Sequence, residues 1–215
     1  MRKITINLAA VAAFCIVVAS PALVSSSCAT PKTEQEDTTI IREDSGITAL
    51  KYSSPEVPAS IEFCGKTIDL SRFDRHERMD RELLAFTYMH STSLQMLKKA
   101  NRYFPIVEPI LKENGIPDDF KYLMVIESNM NPTARSSAGA AGLWQFMQGT
   151  GRDYGLEVNN NVDERYHIEK ATRAACRYLK DAYAKYKDWV AVAASYNAGQ
   201  ARIASQLAKQ DVDDS

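Results

Sequence analysis

The stretch Tyr122-Leu-Met-Val-Ile-Glu-Ser128 places one carboxylate, Glu127, among residues that are almost all apolar or aromatic. Pro117-Asp118-Asp119 precedes it and is typical of a helix start, because proline is tolerated in the first turn and acids are favoured at the positive helix end. The pattern predicts a helix over residues 118–128 with Glu127 near its end. Two interpretations of Glu127 remain open here. It is either an acid on an exposed helix face or a carboxyl whose pKa is raised by apolar neighbours, able to donate a proton near neutral pH.

The rest of the chain predicts further helices and no strands. Residues 69–91 carry apolar side chains at three- and four-residue steps, which favours an amphipathic helix. A second helix is predicted over residues 92–103, ending before Pro105, and a short third over residues 106–113. Ile168–Tyr186 predicts a long helix, and the almost wholly apolar run 189–195 predicts a helix buried on all sides. The expected fold class is all-α.

Two further blocks stand out, Ser136-Ser-Ala-Gly-Ala-Ala-Gly-Leu-Trp-Gln-Phe-Met147 and Ser195-Tyr-Asn-Ala-Gly199. Glycine, proline and small residues predict a loop over residues 129–142, and one or two short helices follow over residues 143–154. Trp144 fits a core residue or a platform for a sugar, and a core residue is expected. Tyr196 ends an apolar segment, where a tyrosine packs its ring and turns its hydroxyl toward a polar site. Asn197 and Gly199 also fit a simple helix stop.

Together, the three blocks resemble the signature blocks of the lytic transglycosylases with a goose-type lysozyme-like domain, and most closely the membrane-bound lytic murein transglycosylase D type. The resemblance implies a lysozyme-like helical domain that cleaves the MurNAc-GlcNAc β-1,4 bond of peptidoglycan without water and leaves 1,6-anhydroMurNAc ends. It also implies that Glu127 is the sole catalytic acid and base. The substrate-binding residues that it implies are Ser136, Gln145, Met147, Tyr196 and Asn197.

The same resemblance suggests how the loop and the tyrosine are used. Tyr196 is expected beside the reacting sugar, where it orients the acetamido group. Gly139 and Gly142 are expected to let the backbone approach the sugar, because they carry no side chain. Gln148 stands where members of the family usually have proline, which puts the shape of this loop in question.

A second carboxylate decides between transglycosylation and hydrolysis, because most glycosidases need one as nucleophile or as base for water. None lies in the three blocks, so the substrate's own acetamido group and C6 hydroxyl are expected to take that role. Helix-start electrostatics explain Asp118 and Asp119, and the run 163–165 is interpreted as ion pairs or a cap for the following helix. A hydrolytic muramidase and a catalytically weak wall-binding protein remain the alternatives. The carboxylates open to a muramidase are Asp118, Asp119, Asp153, Asp163 and Glu164.

The composition excludes several other classes of function. The formal net charge of −1 gives no global attraction for nucleic acid or an anionic membrane. Sequence motifs of nucleotide-binding loops, zinc proteases and serine hydrolases are absent. The three histidines, His76, His90 and His167, form no metal-like cluster in the sequence, so no metal and no cofactor are expected. The expected partner is the peptidoglycan glycan strand, bound by a monomer.

The N-terminus predicts export. Arg2-Lys3 and the apolar run over residues 4–24 fit a secretory signal, although the run is also about long enough for a retained membrane anchor. Residues 1–27 are predicted as the signal peptide, and Cys28 resembles the lipidated cysteine of bacterial lipoproteins, with simple signal cleavage as the alternative. The polar composition that follows predicts a flexible tether, drawn over residues 28–68. The protein is expected in the periplasm or cell envelope, held by a lipid anchor.

Residues 69–114 are predicted as the helical N-terminal part of the domain and residues 115–215 as its lysozyme-like catalytic part. Related chains usually continue beyond this point, which leaves open a shortened form with an incomplete groove. Cys64 and Cys176 remain after export. Both a disulfide between them and two independent buried thiols are open, and two thiols are expected.

Overall fold

The computed structural model describes residues 55–198, and these residues begin with a β-hairpin. Strand β1 (Ser60–Phe63) pairs antiparallel with β2 (Lys66–Asp69), with Phe63 opposite Lys66. The two-residue turn has positive φ at both positions, 51° at Cys64 and 75° at Gly65. The prediction of a tether as far as residue 68, and of no strands, was therefore wrong for residues 60–68. Cysteine before glycine is a weak sequence signal for such a turn, in which asparagine or aspartate is usual.

Two consecutive helices follow the hairpin. Helix α1 (Phe73–Tyr88) buries Met79 and Leu83 and confirms the amphipathic pattern. Helix α2 (His90–Glu113) is continuous, so the predicted break before Pro105 was wrong. Pro105 and Pro109 lie on its exposed side, while eight other residues of α2 are buried. Burial of that face outweighs the few backbone hydrogen bonds that proline removes.

Glu127 lies near the end of a helix, as predicted, although the helix changes pitch on the way. A 3₁₀ helix (Asp118–Tyr122) leads into the α-helix α3 (Leu123–Ser128). Asn129 and Met130 follow with φ of 50° and 51°, and their amides donate to the carbonyls of Val125 and Met124. The left-handed residues satisfy the last carbonyls of the helix and turn the chain sharply away from it.

The remaining helices pack around the same core. After an irregular loop come α4 (Gln148–Asp153), a 3₁₀ turn (Glu164–Tyr166), α5 (Ile168–Tyr186) and α6 (Trp189–Ala198). The bounds of α5 are those predicted, and it packs against α2 and α6. In α6, Val192, Ala193 and Ser195 are buried but Val190 and Ala194 are only half-buried, so the prediction of burial on all sides was wrong for this helix. With one small sheet, the mostly helical architecture confirms the all-α class.

The hairpin is joined to the core from which the site is built. Phe63 contacts Phe120, and Phe120 contacts Trp189, with ring centroids 6.2 and 5.3 Å apart. The Cys64 amide donates to Asp119 Oδ2 at 2.7 Å. These contacts connect the hairpin with the 3₁₀ helix before α3 and with the start of α6.

The two cysteines in residues 55–198 are thiols and not a disulfide, as expected, with Cys176 buried and Cys64 half-buried. Burial raises the pKa of the Cys176 thiol to about 11. No helix in the described residues is long and apolar enough to cross a membrane. The predicted signal peptide, Cys28 and the first part of the tether lie outside the described residues.

Candidate active site

Glu127 is half-buried in the last turn of α3, which begins with the buried residues Leu123, Met124 and Val125. The next residue, Ser128, connects this helix to the second block. Its hydroxyl lies 2.9 Å from the Met124 carbonyl oxygen and 3.0 Å from the Leu143 carbonyl oxygen. The backbone that carries Glu127 is therefore held against the loop at residue 143.

The loop of the second block is ordered by its own hydrogen bonds. Ala141 is bridged to Arg135 on one side and to Phe146 on the other. The exposed Ser136 uses its hydroxyl oxygen to accept the Ala140 amide at 3.0 Å, and its own amide donates to the Ala140 carbonyl at 2.9 Å. Ser136 thus closes the tip of the loop, and its hydroxyl hydrogen is not used in that bond.

Gln145 and Met147, which the resemblance places at the substrate, occupy different environments. Gln145 has a backbone φ of 49°. Its side-chain Nε2 donates to the carbonyls of Gly142 at 2.8 Å and Ala134 at 3.3 Å. The Gln145 nitrogen therefore stabilises the loop. Met147 is 45% exposed and immediately precedes α4. Gln148 begins α4, where proline is favoured because no donor is needed, and Met147 has the extended ψ of 153° that suits a residue before proline. The exchange of proline for glutamine thus leaves a backbone that fits either residue.

The structure gives a reason for Gly142 that was not expected. A Cβ atom on Gly142 would lie 1.9 Å from the Arg165 carbonyl oxygen, so the close approach that needs a glycine is to the protein's own backbone. At Gly139, a Cβ atom would meet nothing within 4 Å, but φ is +90°. Both glycines are thus explained by the shape of the loop.

Tyr196 brings the third block to the other two. Its hydroxyl donates to the Trp144 carbonyl oxygen at 2.9 Å, and its ring packs edge-on against Tyr178 at 5.2 Å. Burial raises the pKa of Tyr196 well above its usual value, and the charge of Glu127 and the neighbouring Tyr178 raise it further. The phenol therefore keeps its proton at any physiological pH. The electrostatic effect indicates that Glu127 lies in the neighbourhood of Tyr196.

Trp144 itself is a core residue, as interpreted. Its side chain is fully buried, and its Nε1–H donates to the Thr172 hydroxyl on α5 at 3.0 Å. Asn197 lies in α6, but its side chain is outside the described residues, as is Gly199.

Four of the five alternative carboxylates have structural partners. Asp118 pairs with Lys121, and Asp119 accepts the Cys64 amide. Asp163 pairs with Arg165 at 2.7 Å, and Glu164 pairs with Lys170, which confirms the interpretation of this run as ion pairs. The fifth, Asp153, is exposed at the end of α4. Between residues 55 and 198, no three His, Cys, Asp or Glu side chains lie close enough together to hold a metal ion.

Sequence reasoning missed Ser128, Thr172 and Arg165 as parts of the site's support. Ser128 had a signal, because it directly follows Glu127 and its hydroxyl is able to reach a neighbouring segment. Thr172 had none, and for Arg165 the sequence indicated only the ion pair with Asp163, because the partners in the loop lie 28 and 26 residues away along the chain.

The sequence profile of the transglycosylase SLT domain matches residues 105–214, a range that contains all three blocks. The chain belongs to the transglycosylase SLT domain family. This confirms the resemblance on which the site residues were chosen.

Three individual relatives show how far the similarity extends. The chain is 31% identical over 128 residues to the membrane-bound lytic murein transglycosylase D of Escherichia coli K12, covering 59% of this chain and 27% of the relative. It is 33% identical over 93 residues to the peptidoglycan transglycosylase gp16 of Escherichia phage T7, covering 42% of this chain and 7% of that one. A putative tributyltin chloride resistance protein of an Alteromonas strain is 23% identical over 117 residues, covering 54% of this chain and 56% of the relative. The match to transglycosylase D spans about a quarter of that relative's length.

Proposed function

We propose that this chain is a peptidoglycan lytic transglycosylase that cleaves the MurNAc-GlcNAc β-1,4 bond and leaves 1,6-anhydroMurNAc ends. The observation that carries the proposal is the hydrogen bond from the Tyr196 hydroxyl to the Trp144 carbonyl, with Glu127 near enough to raise the Tyr196 pKa, in a chain of this family. The names of two relatives, lytic murein transglycosylase and peptidoglycan transglycosylase, support the same substrate.

In the proposed reaction, Glu127 acts twice. Its protonated carboxyl first donates a proton to the glycosidic oxygen, so that the bond from MurNAc C1 breaks and GlcNAc leaves with a free 4-hydroxyl. The acetamido oxygen of MurNAc stabilises the positive charge at C1. The Glu127 carboxylate then accepts the proton of the C6 hydroxyl, while the oxygen of that hydroxyl bonds to C1. Glu127 ends protonated, and no water is consumed.

The preference for the C6 hydroxyl over water rests on two arguments. An intramolecular nucleophile has a large effective concentration, so it competes well with solvent. Four of the five carboxylates that a hydrolytic muramidase could use as a second base are engaged by the protein itself, namely Asp118, Asp119, Asp163 and Glu164. The muramidase therefore remains the second candidate.

Tyr196 is proposed to orient the acetamido group. Its O–H is committed to the Trp144 carbonyl, so the phenol oxygen presents lone pairs to the substrate. An acetamido N–H is the donor that fits such an acceptor. Ser136, Gln145, Met147 and Asn197 are proposed to line the glycan groove, and the exposed Ser136 hydroxyl and Met147 side chain are accessible for this.

The proposed location is the periplasm or cell envelope. Export by a signal over residues 1–27 and lipidation at Cys28 are proposed from the sequence, and the E. coli relative is named as membrane-bound. A mature N-terminus that begins elsewhere, without an acyl group, would contradict the anchor and leave the proposed enzyme activity untouched.

The test is to digest purified peptidoglycan with the full chain and weigh the muropeptides. A transglycosylase gives ends that are lighter by one water than the hydrolytic product. Predominantly reducing ends identify a muramidase and redirect the search to Asp118, Asp119 and Asp163. Retention on peptidoglycan with no cleavage identifies the wall-binding alternative.

A further inference from the structure

Arg165 is a charged residue inside the protein, only 5% exposed. Its Nε and Nη2 donate to the two oxygens of Asp163 at 2.9 and 2.7 Å. Its Nη1 donates to the carbonyls of Gly139 at 2.8 Å and Phe146 at 3.0 Å. Every nitrogen of the guanidinium is therefore engaged, two by a carboxylate and one by the backbone of the second block.

The two backbone acceptors bracket the functional part of the loop. Residues 139–146 lie between them and include Gln145 and the Trp144 carbonyl that binds Tyr196. The main chain of Arg165 adds a second contact, since its carbonyl oxygen occupies the space of a Cβ atom at Gly142. One residue therefore supports the loop through its side chain and its backbone.

A gain in stability is a weak explanation for this arrangement. Burying a guanidinium costs solvation energy, and well-packed apolar residues often stabilise a protein as much as a buried ion pair does. What an arginine provides is a planar group whose donors have fixed directions. Two carbonyls seven residues apart are thereby held at a set separation, which an apolar side chain does not achieve.

We propose that Arg165, oriented by Asp163, is a positioning residue for glycan cleavage: it sets the backbone of residues 139–146 and, through the Trp144 carbonyl, the Tyr196 hydroxyl. Arg165 does not touch the substrate. This inference rests on the proposed transglycosylase function for its catalytic consequence. Its structural part, the ordering of the loop, stands on the hydrogen bonds alone.

The variants separate charge from geometry. Arg165→Lys keeps the charge but has one nitrogen, which is unable to bridge Asp163 and both carbonyls as the guanidinium does. Arg165→Ala removes the side chain and leaves a space that methylguanidinium is able to fill. Arg173→Ala is the matched control, because Arg173 is an exposed arginine on α5 paired with Glu113.

The measurements use the full chain. Hydrogen exchange is followed at the hydrogen-bonded amides of Ala141, Gly142 and Gln145, with α5 as the internal reference. We expect both Arg165 variants to speed exchange in the loop and to lower the rate of anhydro-product release by about tenfold or more, because small misplacements of reacting groups are costly. Methylguanidinium should restore part of the activity of Arg165→Ala and none of that of Arg165→Lys. Arg173→Ala should behave as wild type.

Retention on insoluble peptidoglycan, measured in a Glu127→Gln background, separates this proposal from the proposed function. A wild type that yields no anhydro product overturns the proposed function. The Arg165 proposal then depends on loop exchange and on weaker retention by the Arg165→Ala, Glu127→Gln double variant. Unchanged hydrogen exchange in the loop would overturn the Arg165 proposal. Faster hydrogen exchange in the loop, with retention and cleavage both unchanged, would also overturn it. If Arg165→Ala does not fold, Asp163→Asn gives the same test, because it keeps the guanidinium and removes its carboxylate partner.

Discussion

At the scale of single residues, the site pairs a half-buried carboxyl with a phenol that keeps its proton. Glu127 lies at the end of a helix, next to Ser128, whose hydroxyl contacts the loop, and this position fits the proton exchange proposed for it. Tyr196 is held by its hydrogen bond to Trp144 and by its packing against Tyr178. Substitutions of Glu127 and of Tyr196 should therefore reduce activity by different amounts.

Glu127→Gln should abolish nearly all cleavage, by about 10²- to 10⁴-fold or more, because the amide keeps the shape but has no proton to donate. The rate of anhydro-product release measures it. Glu169→Gln, at an exposed site in the first turn of α5, is the control and should keep full activity. Equal thermal midpoints for both variants would exclude misfolding, and substantial activity in Glu127→Gln would remove it from the central role.

Tyr196→Phe should reduce cleavage less severely and should also destabilise the protein. The ring still packs on Tyr178, but the Trp144 carbonyl loses its donor, at a cost of about 1–3 kcal/mol. Urea unfolding measures the loss of stability, and initial rates measure that of activity. Tyr183→Phe is a useful control, since that ring stacks on Trp189 in the same core. A Tyr196→Phe variant with wild-type rates would show that the hydroxyl does not serve the reaction.

At the scale of elements, the second block is a loop whose backbone conformation is as well fixed as that of a helix or strand. Its bridges, its two glycines with positive φ and its hydrogen bonds to Arg165 replace the repeating bonds of a helix or strand. Its two glycines are not equivalent, because only one of them faces another backbone segment.

Gly142→Ala should destabilise the protein far more than Gly139→Ala. Both substitutions place a side chain at positive φ, which costs about 1–2 kcal/mol. Only the new Cβ at residue 142 would also collide with the Arg165 carbonyl, and the rigid backbone on both sides is unable to yield cheaply. Thermal and urea unfolding of the two variants give the comparison. Equal losses of stability would mean that the contact with Arg165 relaxes without cost.

At the scale of the whole molecule, the hairpin joins two segments that lead to the site. Phe63 and Cys64 contact the 3₁₀ helix before α3, and Lys66 pairs with Asp188 just before α6 at 2.9 Å. Helix α3 carries Glu127 near its end, and α6 carries Tyr196 near its end. The hairpin therefore contacts the segments where both helices begin. It lies before the region that the family profile matches.

Phe63→Ala should therefore cost about 3–5 kcal/mol of unfolding free energy, the usual range for a buried phenylalanine. Phe63 is 3% exposed, whereas Phe73 at the start of α1 is 82% exposed. Phe73→Ala is thus a matched control, expected to change stability by about 0.5 kcal/mol or less. Urea unfolding provides both values. A small effect at Phe63 would show that the hairpin is not part of the cooperative core.

Acid should destabilise the protein partly through Asp163. Its pKa is lowered below the usual 3.8, mainly by the hydrogen bond from Arg165. A carboxyl with a lowered pKa in the folded state contributes stability above its unfolded pKa and loses it as the pH falls through the folded value. Asp163→Asn should therefore lose less stability than wild type on going below about pH 4. Asp153→Asn is the exposed control, and parallel urea midpoints for all three proteins would contradict the prediction.

The sequence by itself determined what depends on local periodicity. The bounds of α5, the amphipathic α1 and the place of Glu127 at a helix end all follow from apolar spacing and helix-start residues that lie within one element. The family blocks likewise pointed to the three segments of the candidate site. These features need no knowledge of which elements meet.

Only the tertiary structure decided the rest. The prolines of α2 stay helical because the buried face of that helix packs on its neighbours, and the hairpin forms because Phe63 has a partner in Phe120. Arg165 reaches the Gly139 carbonyl across 26 residues, and Tyr196 reaches the Trp144 carbonyl across 52. Arginine and tyrosine each have many possible partners of equal local quality. Which partner each side chain binds depends on which backbone groups are left without a donor when the chain packs. That in turn depends on the arrangement of the whole chain.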